Sequence, residues 1–219
     1  MLYHDTVVLL YAKAPVAGTV NTRLIPDIGE QAATVLQHDL IHHRLAMLRD
    51  VDLCAVKLMC APDTRHECFT DCEQQYPITL CQQSGRDLGE RMLEGARQAL
   101  AEFKHCIIIG TDAPALGGGR IKQAIDVLRT ENDTVFIPAE DGGYVLLGLG
   151  ANDQGQMREF LFQDISWGSA QVMQQSRDKL QEKAVPYTEL ESCWDVDRLE
   201  DYQRYLKEIA REIVGGTSD

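Results

Sequence analysis

The sequence lacks the apolar run of about 20 residues that a helix needs to cross a bilayer. Its first five residues contain no basic segment ahead of the first apolar stretch, so they do not resemble a secretory signal. Internal repeats, linkers and low-complexity segments are also missing. These absences predict a single domain over residues 1–214, a flexible tail at residues 215–219 and a cytoplasmic location.

Basic residues are in the minority: 21 Lys and Arg stand against 34 Asp and Glu, which gives a net charge of −13. This balance argues against nucleic acid or an anionic membrane as a partner. It leaves room for small phosphorylated ligands, which an acidic protein can bind through a divalent cation and a few Lys and Arg. With 44% hydrophobic residues, the composition is that of an ordinary soluble globular protein.

The seven cysteines form no disulfide-like framework, and no two are spaced as C-x-x-C. His66, Cys68 and Cys72, with Cys60 nearby, resemble an incomplete zinc set. Because the set is incomplete, ordinary reduced thiols, buried or half-buried, are the favoured interpretation.

A predicted helix over residues 29–49 carries three clustered histidines, His38, His42 and His43. The cluster invites a metal-binding interpretation. Without a local carboxylate partner, however, a solvated helix face is favoured.

Residues 107–116 are the centre of the predicted fold. Three consecutive isoleucines predict a strand buried on both faces, which is typical of a central strand in a parallel sheet. Asp112 follows the strand, and Pro114 prevents its continuation. Ligands of open α/β sheets bind beyond the carboxyl ends of the strands, so Asp112 is either a metal ligand or merely the cap of the next helix.

A first buried strand at residues 6–11 runs into a loop, residues 12–24, that contains Gly, Pro, Lys13 and Arg23. Such a loop is suited to holding phosphate, because its N–H groups can point inward while the two cations neutralise charge. It matches neither a Walker A loop nor a G-x-G-x-x-G fingerprint. A surface loop with solvated Lys13 and Arg23 is therefore the alternative.

Two further glycine-containing loops are candidates for ligand contact. Gly85 would let the backbone approach a ligand, and Gly89 opens the following helix, although ordinary packing glycines would look the same. Asp141-Gly142-Gly143 is a strong turn signal between two predicted strands. Its N–H groups lie beside a carboxylate and could hold the phosphate or carboxylate of a second substrate.

Asp195 and Asp197 flank Val196 in a predicted extended segment. Residues two apart in an extended chain face the same side, so the two carboxylates are presented together. Paired carboxylates repel each other unless a cation lies between them, which predicts a metal site. The alternative is that Asp197 caps the final helix at residues 199–214.

These motifs, in this order, resemble a bacterial family of GT-A-like transferases known as selenodomain-associated transferases or glycosyltransferase A family proteins. The chain is more distantly similar to 2-phospho-L-lactate guanylyltransferase and the molybdenum-cofactor guanylyltransferase. The resemblance covers nearly the whole chain. It implies an α/β fold: a Rossmann-like, three-layer αβα sandwich with a mostly parallel central sheet.

The resemblance also implies roles for individual residues. Lys13, Arg23 and Asp112 would be catalytic, and Asp141, Gly142 and Gly143 would face the acceptor. Asp112, Asp195 and Asp197 would bind Mg²⁺ or Mn²⁺. Nucleotide contacts would come from Ala12, Lys13, Gly18, Thr22, Arg23, Gln83, Gly85, Leu88 and Gly89.

The implied activity is metal-dependent transfer of a nucleoside monophosphate from a nucleoside triphosphate to a small phosphorylated or hydroxyl acceptor. The alternative is glycosyl transfer from a nucleotide sugar. The chain could also form a homodimer.

Two departures from the family pattern bear on the implied activity. Ala17 and Asn21 replace Pro and Lys of the first loop, which removes one cation. Ala113 and Ala115 leave Asp112 without a second acid, so the D-x-D typical of metal-dependent sugar transferases is absent.

Overall fold

The computed structural model describes residues 1–130, 134–150 and 158–215, with the side chains of the last helix described as far as Glu208. The strands are β1 Thr6–Lys13, β2 Ala55–Ala61, β3 Thr79–Gln82, β4 His105–Gly110, β5 Thr134–Pro138, β6 Tyr144–Gly150 and β7 Thr188–Glu189. The α-helices are α1 Ile25–Val51, α2 Glu67–Gln75, α3 Leu88–Glu102, α4 Gly118–Thr130, α5 Val172–Glu182 and α6 Leu199–Gly215, with a 3₁₀ turn at Glu159–Phe162.

The strands form one sheet in the order β3-β2-β1-β4-β6-β5-β7. Strand β6 runs antiparallel to both of its neighbours, and every other recorded pairing is parallel. The predicted α/β fold with a mostly parallel central sheet is therefore confirmed. Its predicted central strand is β4, in the middle of the order, and the three isoleucines of β4 are all buried.

Helices cover both faces of the sheet, because each strand presents apolar side chains on both sides. One core lies between the sheet and helices α1, α2 and α4, and the other lies under α3, α5 and the 3₁₀ turn. A smaller cluster joins α1 to the C-terminal segment through Leu40, Trp194 and Tyr205. This last contact brings residues 194–197 back to the sheet.

Several predicted boundaries shift in the structure. The first helix starts at Ile25 rather than at residue 29 and is broken at Gly29, whose φ of 81° lies in the left-handed region. Strand β7 is only two residues long and occupies the sheet edge, as Pro186 indicated. The predicted flexible tail lies outside the described residues apart from Gly215. Among the described residues, no helix has both the length and the apolar character needed to cross a membrane.

Candidate active site

A cleft of about 570 Å³ opens at the carboxyl ends of β1 and β4. This is where an α/β sheet binds its ligands, and the volume lies within the range of small-molecule sites. Nine of the residues predicted for the site line this cleft: Ala12, Lys13, Arg23, Gln83, Leu88, Asp112, Asp141, Gly143 and Asp195.

The other predicted residues, among them Gly18, Thr22 and Asp197, are not part of the lining. The structure gives two of them, Gly85 and Gly89, a packing explanation. A Cβ on Gly85 would lie 2.6 Å from the backbone nitrogen of Arg91, and a Cβ on Gly89 would lie 2.3 Å from Nε1 of Trp167. Contact of these glycines with a nucleotide stays a prediction.

Asp112 and the 195–197 segment meet although they are far apart in the chain. The backbone N–H of Val196 donates a hydrogen bond of 2.7 Å to the carbonyl of Asp112. Val196 itself is buried against α1, so Asp195 and Asp197 are carried to the end of β4. The fold thus brings the three predicted metal ligands to one place.

Burial and mutual repulsion perturb two of these carboxylates. Asp112 reaches solvent at the floor of the cleft but is otherwise enclosed by protein, and this desolvation, with Asp141 and Asp197 nearby, raises its pKa. Desolvation and the charges of Asp112, Asp141 and Asp197 raise the pKa of Asp195 to about 7. The cleft therefore holds more negative charge than its own cations neutralise.

Asp197 differs from the other two because its carboxylate is already engaged. Its Oδ2 accepts a hydrogen bond of 2.7 Å from Arg23, whose other terminal nitrogen donates to the carbonyl of Gly168 at 3.3 Å. Within the described residues, the oxygens of Asp112, Asp195 and Asp197 do not all come within 4.8 Å of one another.

The loop after β4 is held by a buried arginine that sequence reasoning missed. Arg44 of α1 is fully buried and donates hydrogen bonds to the carbonyls of Ala113 and Leu116. Desolvation lowers the pKa of its guanidinium to about 10, so Arg44 stays charged at neutral pH. A signal existed: Arg44 falls on the apolar stripe of α1, four residues after Leu40 and four before Leu48.

Two cations of the cleft remain available to a ligand. The ammonium of Lys13 makes no hydrogen bond or ion pair with any described residue, and the side chain is exposed. Arg91, which sequence reasoning also missed, donates from Nε to the carbonyl of Gly85 at 3.1 Å and keeps its terminal nitrogens for other partners. Gln83 is less free, because its amide donates to the carbonyls of Ala12 and Met59.

The turn predicted to face the acceptor is rigid. Gly142 has a φ of 95°, and a Cβ there would lie 2.2 Å from the carbonyl oxygen of Ala170. The N–H of Gly143 donates to Oδ1 of Asp141 at 2.9 Å, and the N–H of Met173 donates to the carbonyl of Gly142, also at 2.9 Å. The carboxylate of Asp141 is therefore fixed at the exposed rim of the cleft.

An aromatic wall completes the cleft, and no sequence motif indicated it. Trp167 and Tyr144 both line the cavity, with ring centroids 6.4 Å apart in an edge-to-face arrangement. The hydroxyl of Tyr144 is buried and has no hydrogen-bond partner among the described residues. The position of Trp167 depends on Gly89, which leaves room for the indole.

The class of protein follows from comparison with known families and structures. The chain belongs to the bacterial family described as "Uncharacterized protein conserved in bacteria (DUF2064)", whose profile matches residues 44–169, more than half of the chain. No curated protein matches the sequence. The matched stretch begins at Arg44 and includes β4, Asp112 and the turn at Asp141.

Solved structures of several transferases share this fold. A candidate nucleotide-diphospho-sugar transferase from Desulfovibrio desulfuricans G20 is 25% identical with a TM-score of 0.78, over 89% of this chain and 83% of that one. A 4-diphosphocytidyl-2C-methyl-D-erythritol synthase from Anaerococcus prevotii is 11% identical with a TM-score of 0.59, over 93% of this chain and 99% of that one.

A CMP:2-keto-3-deoxy-manno-octonic acid synthetase, solved in complex with CTP, is 10% identical with a TM-score of 0.60, over 95% of this chain and 99% of that one. At such low identity the last two likenesses show the fold alone. The specific names and the guanylyltransferase similarity that the sequence suggested stay predictions.

Proposed function

We propose that this protein is a nucleotidyltransferase, which moves a nucleoside monophosphate from a nucleoside triphosphate to a small phosphorylated or hydroxyl acceptor. The observation that carries the proposal is the charge pattern of the cleft. The ammonium of Lys13 and the terminal nitrogens of Arg91 share the cleft with the crowded carboxylates of Asp112, Asp141 and Asp195. The same fold occurs in a synthetase that was solved with CTP.

The carboxylates suit a divalent cation, Mg²⁺ or Mn²⁺. Asp112 and Asp195 offer the hard oxygen atoms that such ions prefer. Burial and the neighbouring carboxylates raise the pKa values of both groups, and a bound cation would relieve this repulsion. Asp197 would join them only if it released Arg23. The chemistry supplied by the bound cation would be neutralisation of the phosphate oxygens and of the leaving pyrophosphate.

The chain's own residues would bind and orient the two substrates. Lys13 and Arg91 would bind phosphate oxygens and stabilise the negative charge that builds up in an in-line displacement. The Asp141 turn would hold the acceptor, whose own oxygen attacks the α-phosphate. No protein nucleophile is required, and burial raises the pKa of the nearby Cys193 thiol, which keeps it unreactive.

Glycosyl transfer from a nucleotide sugar is the second candidate. The structure from Desulfovibrio desulfuricans, named for that class of transferase, favours it, and the exposed Asp141 could serve as a base for an acceptor hydroxyl. Against it stands the missing second acid. The positions two residues before and after Asp112 are Gly110 and Pro114, so Asp112 belongs to no D-x-D pair.

The products separate the two candidates. The purified protein is incubated with Mg²⁺ and either nucleoside triphosphates or nucleotide sugars, together with pools of phosphorylated and hydroxylated acceptors. Release of pyrophosphate is expected with a triphosphate, and release of a nucleoside diphosphate from a nucleotide sugar would instead establish the second candidate. Thermal shift with each nucleotide selects the base, since a ligand raises the melting temperature by mass action. Absence of both turnover and thermal shift would contradict both.

A further inference from the structure

Two helices outside the cleft bring four metal-binding side chains together. His38 and His42 lie one turn apart on α1, and Cys68 and Cys72 lie one turn apart on α2, so each helix presents a pair on one face. The ligand atoms of His38, His42 and Cys68 all lie within 4.8 Å of one another. Across residues 1–130, 134–150 and 158–208, no other three His, Cys, Asp or Glu side chains converge this closely.

A fourth side chain, Cys72, lies beside this group of three but outside the 4.8 Å limit that its members share. Its Sγ lies 3.8 Å from Nε2 of His42, and its thiol interacts with that of Cys68. In a tetrahedral zinc site, Zn–S bonds of about 2.3 Å and Zn–N bonds of about 2.0 Å place a nitrogen and a sulfur ligand about 3.5 Å apart. The separation between Cys72 and His42 is close to that spacing, and the Cys72 thiol would have to move towards the other members for one ion to contact all four.

The second ring nitrogen of each histidine has a supporting partner. Nδ1 of His42 lies 3.2 Å from the hydroxyl of Tyr76, and Nδ1 of His38 lies 3.2 Å from Oδ1 of Asp39. Such partners fix the orientation of metal-binding imidazoles through the nitrogen that does not bind the ion. The sequence-based statement that these histidines have no local carboxylate was wrong, because Asp39 is adjacent in the chain.

Ordinary packing does not account for this arrangement. Cys68 and Cys72 are buried in the core beneath α1, where an apolar neighbour would suffice. Instead the imidazoles of His38 and His42 pack against each other with ring centroids 4.4 Å apart, and His42 contacts Cys72. The histidine cluster of α1 therefore contributes His38 and His42, and the His66/Cys68/Cys72 cluster contributes Cys68 and Cys72, to one group of side chains.

We propose that His38, His42, Cys68 and Cys72 bind a zinc ion that joins α1 to α2. Two thiolates and two imidazoles in tetrahedral arrangement select Zn²⁺, whereas Mg²⁺ prefers oxygen ligands. All four positions are filled by the protein, so the ion is structural. Helix α2 has only nine residues, too few for stability on its own, and it leads into β3 at the sheet edge. The ion holds this part of the chain in place.

The test measures zinc directly. The full chain is purified without a histidine tag, in reductant, and its metal content is determined by mass spectrometry. One zinc per chain is expected. After removal by a chelator, one equivalent of Co²⁺ should bind with the absorption of thiolate-to-cobalt charge transfer, and excess Mg²⁺ should not displace it. Zinc should also raise the melting temperature of the apoprotein.

Variants identify the ligands. His38→Asn, at a half-exposed position, and Cys68→Ser should each weaken Co²⁺ binding at least tenfold, and Tyr76→Phe should weaken it less. His43→Asn and Cys81→Ser are the matched controls and should bind like the unmodified chain. Circular dichroism verifies that each variant is folded. If Cys68→Ser unfolds, the half-exposed position of His38 means that His38→Asn can still test the site.

Three outcomes would overturn the proposal. One is a reduced, folded chain that contains no zinc and binds Co²⁺ without thiolate absorption. Another is His38→Asn binding Co²⁺ as tightly as its His43→Asn control. A disulfide between Cys68 and Cys72 that persists in reductant would also exclude the site, because both thiolates would be lost.

Discussion

The acidic cleft and the His/Cys set between α1 and α2 are the two places where we propose that this protein binds a cation. In the cleft, carboxylates converge on an open space of about 570 Å³ and cations stand beside them, so the charges remain available to a substrate. In the His/Cys set, the ligand atoms of His38, His42 and Cys68 come within 4.8 Å of one another, and Cys72 lies 3.8 Å from Nε2 of His42. The difference indicates turnover for the first and a structural role for the second.

Helix α1 contributes to both regions through different faces. His38 and His42 approach Cys68 and Cys72 of α2, whereas Arg44 reaches under the loop that carries Asp112. If the cleft is catalytic and the His/Cys set is structural, substitutions in the cleft should lower turnover and leave the zinc content unchanged. Changes in the His/Cys set should affect stability and leave the chemistry of the folded protein intact.

Asp112→Asn should have the largest effect. It removes a carboxylate from the floor of the cleft, and we expect turnover to fall at least a hundredfold with no change of fold or zinc content. Pyrophosphate release measures the loss. Asp126→Asn is the matched control, because Asp126 pairs with Lys122 on α4 outside the cleft lining. Equal activity in the two variants would remove Asp112 from the mechanism.

Arg44→Met should destabilise the fold by about 3 kcal/mol, because the buried carbonyls of Ala113 and Leu116 lose their donor. Urea unfolding measures this difference. In the fraction that stays folded, activity should fall as well, since the loop of Asp112 is no longer held. A variant with unchanged stability would show that water can replace the guanidinium.

Asp195 makes stability depend on pH. Its pKa in the folded protein, about 7, lies above the unfolded value of 3.8, so the folded state binds more protons between these values. Stability in chelator should therefore fall as pH rises from about 4 to 7, by about 2 kcal/mol after allowance for partial solvent contact. Asp195→Asn should flatten this decline, and added Mg²⁺ should oppose it. A parallel pH profile in the variant, measured by thermal unfolding, would contradict the perturbed pKa.

Asp197→Asn should have the smallest effect, and it should strengthen nucleotide binding rather than weaken it. It frees Arg23 from an exposed ion pair worth less than about 1 kcal/mol. In chelator, calorimetry should show nucleotide binding that is about threefold tighter, since Arg23 can then turn to phosphate. Arg198→Gln is the comparison, because it removes only the distant partner of Asp197. Weaker binding by Asp197→Asn would mean that Arg23 depends on Asp197 for its position.

Much of the fold could be predicted because its signals are local. Three isoleucines placed β4 at the centre, and the extended segment at Val196 placed Asp195 near Asp197. What the sequence could not show were partners set by packing. Arg44 stood out only as a charge on an apolar stripe, and Trp167 had no motif at all.

Two further features depend on tertiary packing. Gly85 and Gly89 are predicted to contact a nucleotide, and the structure also places atoms of α3 and Trp167 beside them. The four residues of the His/Cys set were divided between two incomplete motifs, since which faces of α1 and α2 meet depends on the whole core. Local patterns gave the residue types, and tertiary packing gave their neighbours.

The hydrogen bond between Val196 and Asp112 has a consequence for folding order. This bond closes the long stretch of chain between Asp112 and Val196. Closing it costs conformational entropy, and we expect the bond to form late, after the intervening chain has been organised. During synthesis, β1 and β4 can pair well before the 195–197 segment has emerged. A partly made chain would therefore already possess most of its sheet while remaining catalytically silent.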